Sequence, residues 1–459
     1  MDRERFEKSP FALAENGNAQ PKMSDYIVSG GLRYVAPYHF DFVAHCKKRQ
    51  RGPNILELFL SEFPQRSREY YEAAVSEGRL RVVGLPLDKQ RHTPVKEGDQ
   101  MRHFVHRHEP PVMDVPIDVL ISTDEVVVVN KPPSMPVHHA GQYRKNTVIG
   151  MLAAMYGITD VKPIHRLDKP VSGLLLMAKN ARTADRFRSQ IESHEVKKVY
   201  VARVLGAFPT DEFEVDAPLL WDAKAHHTTV APVTQGGKES RTRFKRLSLS
   251  EDGLTSVVEC QPLTGRTHQI RVHLQHAGHP IANDVKYGGR LDLAEASFSP
   301  GMFLPAGAVE GKVERVSAQE EAPQSNSILE EKGSQGGAAQ SPLASQPVVE
   351  IEWDSKDPSG RMKGAGMPQW CPHCPRVAPE GWDVADLMPI WLHAVRYSGD
   401  GWEYECPLPM WSQSDFCAPC KSLGDQSESG KPQQTLRKVA EKDADEVDCP
   451  VDAKRLRAS

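Results

Sequence analysis

The chain has 459 residues, which is enough for two or three domains with a sizeable core. It lacks an apolar run of the roughly 20 residues that span a bilayer, and its eight cysteines do not indicate a disulfide scaffold in so long a chain. From Leu291 onward 16 Lys and Arg stand against 27 Asp and Glu, a balance of −11 that leaves +7 for residues 1–290, so a polyanion is expected to meet the front half.

Residues 1–50 carry few periodic signals and are predicted to be an N-terminal extension. Residues 1–23 are polar and mixed in charge, unlike a secretory signal or an acid-poor transit peptide, which favours a cytoplasmic or nuclear location. The aromatic stretch at 34–42 is expected to pack on a neighbouring unit. The alternative is that nucleic-acid bases stack on its rings.

Residues 51–107 have the pattern of a small α/β domain. Apolar residues recur at helical spacing over 55–60, Pro64 ends this helix, and Ser67 can cap a second one. Residues 80–84 then alternate as in a strand. The strings SREYYEAAVSEGRLRV and VKEGD, in this order, resemble the S4 RNA-binding domain.

The resemblance to the S4 domain implies that arginines at the ends of its helices contact phosphates. A solvated charged face explains any one of these arginines equally well, so the set is more persuasive than its members. The arginines are Arg66, Arg68, Arg79 and Arg81.

A larger unit follows a proline-containing linker, and residues 115–290 are predicted to be a catalytic domain. An apolar strand at 124–132 ends in Asn-Lys-Pro, and a helix is predicted at 147–156. At the centre of this unit Asp168 lies between basic residues, just before a turn and an apolar strand. A carboxylate at the mouth of an apolar strand is costly to bury unless a cation pairs with it.

The string HRLDKPVSG at 165–173 resembles the catalytic motif HRLDxxTSG of the RluA family of RNA pseudouridine synthases. The resemblance implies that Asp168 is the nucleophile, that Arg166 fills the space left by a flipped target nucleotide, and that His165 contacts the substrate. Val171 replaces the usual Thr, so any hydrogen bond made by that hydroxyl is in question. For a lone Asp beside Arg, a surface ion pair would be the ordinary interpretation.

Two later strings match the same family in order. The strand predicted at 196–206 resembles the family's K-x-Y-x-A-x-V-x-G pattern, so Tyr200 matches its active-site tyrosine, which stacks on the uracil and can assist proton removal from C5. Alone, a strand tyrosine more often packs across strands. In GRTHQIR, Arg271 rather than Arg266 aligns with the arginine that keeps the carboxylate ionised. The further predicted substrate contacts in this motif are Arg266, His268 and Gln269.

The pattern breaks at residues 291–386, which are rich in Ala, Gly, Ser, Gln and Glu and are expected to form a largely disordered insertion. Residues 387–411 recover strong patterning. They resemble the closing segment of RluA-type domains, in which an LHA helix leads into a strand, and are expected to complete the catalytic domain. Residues 412–459 are predicted to be a disordered polar tail.

Two CxxC pairs either bind a structural zinc ion or are free cysteines. The 42 residues between them exceed the usual ribbon spacing, so no metal is assigned. The cysteines are Cys371, Cys374, Cys417 and Cys420.

The sequence thus predicts an α+β protein, in which a small S4-like α/β RNA-binding domain precedes a pseudouridine synthase fold with a mixed, mostly antiparallel central sheet. The resemblance implies an enzyme that isomerises uridines of tRNA, rRNA or mRNA to pseudouridine by base flipping. No glycine motif for a dinucleotide or phosphate is present, so we expect no cofactor. We expect RNA as the partner, no membrane association and a monomer. The alternative is a catalytically silent RNA-binding protein or RNA chaperone on the same scaffold.

Overall fold

The computed structural model describes residues 19–64, 66–290, 292–293, 300–304, 377–379 and 381–416. The predicted tail from residue 417 onward, most of the predicted insertion and the two CxxC pairs lie outside the described residues. Within the described part of the chain, no helix is long and apolar enough to cross a membrane.

The secondary structure consists of short helices and many strands. The helices are α1 Ile55–Glu62, α2 Arg68–Ser76, α3 Val148–Tyr156, α4 Ala181–Glu192 and α5 Gln269–His276. The strands are β1 Tyr26–Ser29, β2 Leu32–Val35, β3 Tyr38–His45, β4 Leu80–Val82, β5 Gln100–Arg107, β6 Val112–Met113, β7 Asp118–Ser122, β8 Val126–Lys131, β9 Lys162–Pro163, β10 Ser172–Ala178, β11 Lys197–Leu205, β12 Phe213–Asp216, β13 Leu219–Asp222, β14 His227–Val230, β15 Arg241–Leu249, β16 Thr255–Pro262, β17 Leu392–Gly399 and β18 Trp402–Glu405.

Ten of these strands form one mixed sheet. Eight are neighbours in the order β12-β15-β16-β11-β17-β10-β8-β7, while β18 pairs with β17 and β9 pairs with β10. Among the described pairs of this sheet, β10 and β17 run parallel and the others run antiparallel. The predicted α+β class with a mixed, mostly antiparallel central sheet is confirmed.

Strands β8 and β10 lie inside the sheet, where apolar clusters cover both of its faces. Every residue of β8 and of β10 is buried, which suits a continuous apolar run better than alternation. Gly173 lies where β10 passes β17, at a φ of +112°, and a Cβ there would lie 2.3 Å from the carbonyl oxygen of Ala394. This close passage, which requires glycine, fixes the start of β10, and the Asp168 loop ends there.

The segment after the predicted insertion supplies a central strand. β17 pairs with β10 on one side and with β11 on the other. Leu392, His393 and Ala394, expected to be helical, are instead the first residues of this strand, so that expectation is wrong. The strands on both sides present backbone N–H and C=O groups that need partners, and a strand between them satisfies both sets.

A smaller N-terminal sheet has the order β3-β5-β4 and packs against α1 and α2. The side chains of Asn54 and Ser67 cap these helices, accepting from the N–H groups of Glu57 at 3.0 Å and Tyr70 at 3.3 Å. Strand β3 pairs with β5 along its whole length, although it was assigned to the N-terminal extension. The predicted boundary at residue 51 therefore falls inside one sheet. The S4 relationship of this unit stays a prediction.

Both ends of the predicted insertion contribute to packed cores. Leu293 and Phe303 join the core of the large sheet. Val377 and Trp382 pack against residues of β2 in a separate apolar cluster. The packed chain therefore reaches further into residues 291–386 than the composition indicates.

Candidate active site

Asp168 lies in a loop between β9 and β10 that is held through its backbone. The Val171 N–H donates to the Asp168 carbonyl at 3.1 Å. The buried ammonium of Lys131, at the end of β8, donates to the carbonyls of Lys169 at 3.2 Å and Val171 at 2.7 Å. Burial lowers the pKa of Lys131 to about 7, although the charge of Asp168 opposes this. The loop is thus positioned without use of the Asp168 carboxylate.

Arg271, on α5, serves two carboxylates with unequal geometry. It donates to both oxygens of Asp284, from Nε to Oδ2 at 2.6 Å and from Nη2 to Oδ1 at 2.9 Å. Its Nη1 lies 3.5 Å from Asp168 Oδ2. The side chains of Arg271 and Asp284 are 6% and 2% exposed, whereas that of Asp168 is 30% exposed. The bidentate pair orients the guanidinium and leaves its third nitrogen beside Asp168.

The Asp168 carboxylate is kept ionised by its neighbours. Burial alone would raise the pKa of Asp168, but His268, Arg271 and Arg166 more than offset this, so the pKa is lowered from its ordinary value. Among the described residues, Arg271 and His268 are the basic side chains within ion-pair distance of the carboxylate. Arg166, two residues before it, is exposed.

His268 is a neutral imidazole between Asp168 and Tyr287. Its Nε2 lies 3.6 Å from Asp168 Oδ2, and its Nδ1 lies 2.6 Å from the Tyr287 hydroxyl. Burial lowers the pKa of His268 to about 4, although the charge of Asp168 raises it. The Tyr287 hydroxyl accepts from the Thr228 N–H at 3.0 Å, so its own proton is free for Nδ1. We therefore assign the imidazole proton to Nε2, where it faces the carboxylate.

Tyr200 and Tyr397 come from adjacent strands, β11 and β17, and their hydroxyls share a short hydrogen bond. Burial raises the pKa of Tyr200 to about 12, while the bond to Tyr397 lowers it and the charge of Asp168 raises it. Tyr200 is therefore a neutral phenol, near enough to Asp168 to feel its charge. The Tyr397 ring packs edge-to-face on His165, with 4.5 Å between the ring centroids.

The predicted substrate contact Gln269 is engaged within the protein. Its Oε1 accepts from the Thr264 hydroxyl at 2.8 Å and from the Arg266 N–H at 2.9 Å. Its Nε2 donates to the Arg241 carbonyl and to Thr242 Oγ1, both at 2.9 Å. The amide thus uses four hydrogen-bonding positions, and the residue is 4% exposed. This geometry favours a role in bracing the turn before α5 over the predicted contact with substrate.

The other predicted substrate contacts differ in how far they are engaged within the protein. His165 Nε2 accepts from the Leu176 N–H at 3.2 Å, and burial lowers the pKa of His165 to about 3. This neutral ring therefore holds the backbone of β10, and its contact with substrate stays a prediction. Arg266 is exposed, and its Nε donates to the Glu239 carbonyl at 3.2 Å. Arg266 and Arg166 remain accessible to a ligand.

The four arginines predicted to bind RNA also differ. Arg68 pairs with a glutamate of α1 at 3.0 Å, and Arg81 donates to a backbone carbonyl at 2.7 Å. Arg66 and Arg79 lie over the ring of Tyr70, 4.4 and 5.3 Å from its centroid, and Arg79 also pairs with Glu77 through its Nε at 2.5 Å. Two cations on one aromatic ring give this end of α2 the chemistry of a nucleic-acid contact.

Three residues that the sequence analysis did not single out complete the site. Asp284 orients Arg271, Tyr287 holds His268, and Tyr397 holds Tyr200. The position of Asp284 and Tyr287 in the polar loop after α5 was the available signal, since they lie 13 and 19 residues from their partners. Tyr397 is 197 residues from Tyr200, so no local pattern relates the two.

The arrangement suits chemistry by an anionic oxygen. A partly exposed carboxylate, its guanidinium neighbour, an imidazole N–H and a neutral phenol face one region. Among the described residues, no group of three or more His, Cys, Asp or Glu side chains is arranged to hold a metal ion.

Comparison with known proteins identifies the same region. The family model for RNA pseudouridylate synthases matches residues 125–276, which include Asp168, Tyr200 and Arg271. RNA pseudouridine synthase 7 of Oryza sativa subsp. japonica is 41% identical over 410 residues, covering 86% of this chain and 94% of that protein.

Two relatives match over shorter stretches. Pseudouridylate synthase RPUSD2 of Homo sapiens is 46% identical over 264 residues, covering 58% of this chain and 48% of that protein. The mitochondrial tRNA pseudouridine(32) synthase of Saccharomyces cerevisiae is 43% identical over 265 residues, covering 57% and 56%.

Proposed function

Because this chain belongs to the RNA pseudouridine synthase family, we propose that Asp168 is the residue with which it converts uridines of RNA into pseudouridines. The reaction breaks the bond between N1 and C1′, turns the uracil and joins C5 to C1′. One proton leaves C5 and one proton is gained at N1, so the conversion is an isomerisation without a redox step. Substrate and product have the same composition, and the enzyme supplies position, charge and proton transfer.

The observation that carries the proposal is the incomplete pairing of the Asp168 carboxylate. Its two basic neighbours stand at 3.5 and 3.6 Å, and 30% of the side chain is exposed. An oxygen that attacks the base or sugar, or abstracts a ribose proton, must be ionised and must have room for the ligand. The lowered pKa of Asp168 provides the first condition, and its partial exposure provides the second.

Tyr200 is proposed to stack on the target base. With a pKa of about 12, it is a neutral phenol at neutral pH, so the stacking role is better supported than that of a general base. The hydrogen bond between the hydroxyls of Tyr200 and Tyr397 limits rotation of the Tyr200 side chain. A uracil ring would then be held between this face and the Asp168 carboxylate.

Arg166 is proposed to fill the space that the flipped nucleotide leaves. Uracil in a stem or stacked loop is out of reach of the carboxylate, and extrusion costs a few kcal/mol. Arg166 is exposed beside Asp168, where a guanidinium can stack between bases and contact phosphates. Arg66, over the ring of Tyr70, is the first proposed contact of the N-terminal unit, and Arg79, Arg68 and Arg81, which also bond within the protein, are the weaker members of that set.

Transfer RNA is the first substrate to test, since the similar yeast protein is named a tRNA pseudouridine synthase. A monomeric state and a cytoplasmic or nuclear location stay predictions.

Release of tritium from RNA labelled at C5 of uridine tests the proposal. We expect wild-type protein to release tritium from unmodified tRNA transcripts, and Asp168→Asn to reduce the rate by at least about 10³-fold. Asp185→Asn is the matched control, because its carboxylate is 66% exposed on α4, away from the cleft, and it should keep the wild-type rate. Equal rates for wild type and Asp168→Asn would rule out the proposed nucleophile.

Binding of the same transcripts separates the enzyme from a silent binder. Asp168→Asn should bind RNA with the wild-type Kd within about threefold, because the phosphate contacts are elsewhere. Wild-type protein that binds tRNA and rRNA transcripts but releases no tritium from either would support the RNA-binding or chaperone alternative.

A further inference from the structure

Trp221 lies at the rim of the cleft on the hairpin formed by β13 and β14. It is 40% exposed, and among the described residues it is the only exposed tryptophan. Its ring packs edge-to-face on His268, with 5.5 Å between centroids and 88° between planes. His268 Nε2 is 3.6 Å from Asp168 Oδ2, so the indole lies one side chain away from the proposed nucleophile.

The hairpin that carries Trp221 is fixed at its turn. Oδ1 of Asp222 accepts from the N–H groups of Lys224 at 2.8 Å and Ala225 at 3.2 Å. Such an Asx turn holds the backbone of the loop in one conformation. The backbone that carries the neighbouring indole is therefore held in place before any ligand binds.

The second strand of the same hairpin is tied to the active-site residues where it leaves the turn. Thr228 Oγ1 donates to the Thr267 carbonyl at 3.0 Å, and the Thr228 N–H donates to the Tyr287 hydroxyl at 3.0 Å. His227 stacks on the Tyr287 ring, with 4.7 Å between centroids and 20° between planes. The hairpin and the Asp168 site therefore form one connected structure.

Three cationic side chains lie in or near this hairpin. Lys224, in the hairpin turn, and Arg266, before α5, are exposed. Lys286 lies near enough that its charge lowers the pKa of both His227 and His268. An exposed indole among lysine and arginine side chains has the chemistry of a single-stranded nucleic-acid contact, in which the ring stacks on a base and the cations meet phosphates.

We infer that Trp221 stacks on the base next to the target uridine in single-stranded RNA and so positions the target over Asp168. The inference rests on the proposed function for the identity of the target nucleotide. A lone exposed apolar residue is ordinary on a protein surface. Trp221 differs because its hairpin is fixed and its ring contacts the imidazole that faces the proposed nucleophile. Trp221 is thus a positioning residue, with the flanking base as its ligand.

Kinetics of tritium release test the inference on a transcript that the wild-type protein modifies. We expect Trp221→Ala to raise KM about ten- to a hundredfold and to change kcat less than about threefold, because the lost contact is a base stack. Trp221→Phe should restore most of the affinity. Leu249→Ala is the matched control: Leu249 is also 40% exposed, at the far end of β15, and its loss should leave KM unchanged. An unchanged KM in Trp221→Ala would overturn the inference.

Abasic sites on either side of the target identify the stacked base. An abasic site on one side of the target should raise the KM of the wild-type protein by a factor similar to that of Trp221→Ala. The same abasic site should have little further effect on the KM of Trp221→Ala. Independent effects of the two changes would also overturn the inference.

A binding measurement keeps the test independent of catalysis. The Kd of a labelled oligouridylate of about 15 nucleotides should rise about tenfold or more in Trp221→Ala and return toward the wild-type value in Trp221→Phe. If the wild type releases no tritium, the proposed function fails, while these Kd values still decide whether Trp221 stacks on RNA.

Discussion

Glu109 and Asp168 are carboxylates in the same molecule with opposite surroundings. Glu109 lies at the seam between the N-terminal strands and the large sheet and is 0% exposed. Its oxygens accept from the hydroxyl of Tyr38 at 2.6 Å and from three consecutive backbone N–H groups at 2.9 to 3.0 Å. Asp168, at the cleft, has neighbours at 3.5 and 3.6 Å and is 30% exposed.

The difference lies in what each carboxylate is needed for. Glu109 joins β3, through Tyr38, to the loop at 144–146 before α3, so all its acceptor capacity goes into holding two parts of the fold together. Asp168 is held by its own backbone and by Lys131, which leaves its oxygens available. A fully paired carboxylate indicates a structural role, whereas an ionised one with spare acceptor capacity indicates a site of chemistry.

Asp284 sharpens this comparison because it shares Arg271 with Asp168. Asp284→Asn should lower the free energy of unfolding by about 3 to 5 kcal/mol, since it breaks a buried bidentate pair. Asp168→Asn, which removes the other partner of the same guanidinium, should change it by less than about 1 kcal/mol. Urea unfolding measures both values. The surface pair of Asp292 with Arg290 provides the control, and Asp292→Asn should have little effect. Equal losses of unfolding free energy in Asp168→Asn and Asp284→Asn would show that both carboxylates have a structural role.

Glu109→Gln tests the other side of the comparison. An amide keeps one acceptor and turns a donor toward the backbone N–H groups, so we expect a loss of about 3 kcal/mol in the free energy of unfolding. The kcat for tritium release, measured where the variant is folded, should stay within about twofold because Glu109 is remote from the cleft chemistry. A large fall in kcat with little loss of stability would mean that the contacts of Glu109 with Tyr38 and the loop at 144–146 affect the geometry of the active site.

The sequence proposes candidate site residues where they lie in short motifs. Asp168 and Arg271 were found in this way, and the structure places them 3.5 Å apart. Their supports were not found, because Asp284 and Tyr397 act through partners that other strands or loops bring close. Gln269 shows the converse: its motif predicted a ligand contact, but its amide bonds to the turn before α5 and to β15. A motif marks a position, and the three-dimensional partners decide its role.

The same limit explains the fold-level differences. The strand β3 was not joined to the N-terminal unit because its partner β5 is about 60 residues away, and short-range pattern does not encode such pairing. The Leu-His-Ala segment became a strand because β10 and β11 flank it, which local propensity does not indicate.

His165 offers a pH test of the structural role proposed for it. Its pKa is lowered by burial to about 3, below the ordinary value of 6.5, so only the unfolded chain gains this proton as the pH falls below 6.5. Its contribution to stability is therefore complete above that pH and is lost on acidification. Gln at this position can still accept from the Leu176 N–H but does not titrate.

Acidification from about pH 7.5 to about pH 5.5 should therefore cost the wild type about 1.4 kcal/mol more stability than His165→Gln. Denaturant unfolding at both pH values gives the difference. A variant that loses as much stability as the wild type would place the His165 ring in water rather than against β10.

Val171→Thr restores the hydroxyl usual in the RluA motif and has the smallest expected effect. Val171 is 3% exposed in the apolar core, and its N–H and carbonyl already bond to Asp168 and Lys131. A hydroxyl buried there should cost about 1 kcal/mol in unfolding free energy and change tritium release less than about twofold. Val201→Thr, at an equally buried position on β11, is the control for hydroxyl burial alone.

The opposite result for Val171→Thr would change the account of the cleft. If it stabilises the protein, or raises activity about fivefold or more while Val201→Thr does not, the hydroxyl has found a partner beside Asp168. Side-chain hydrogen bonding would then contribute to holding the carboxylate. If it has the small effect expected, backbone bonds and Lys131 are sufficient to hold Asp168, and Val171 is tolerated because the side chain at this position faces the core.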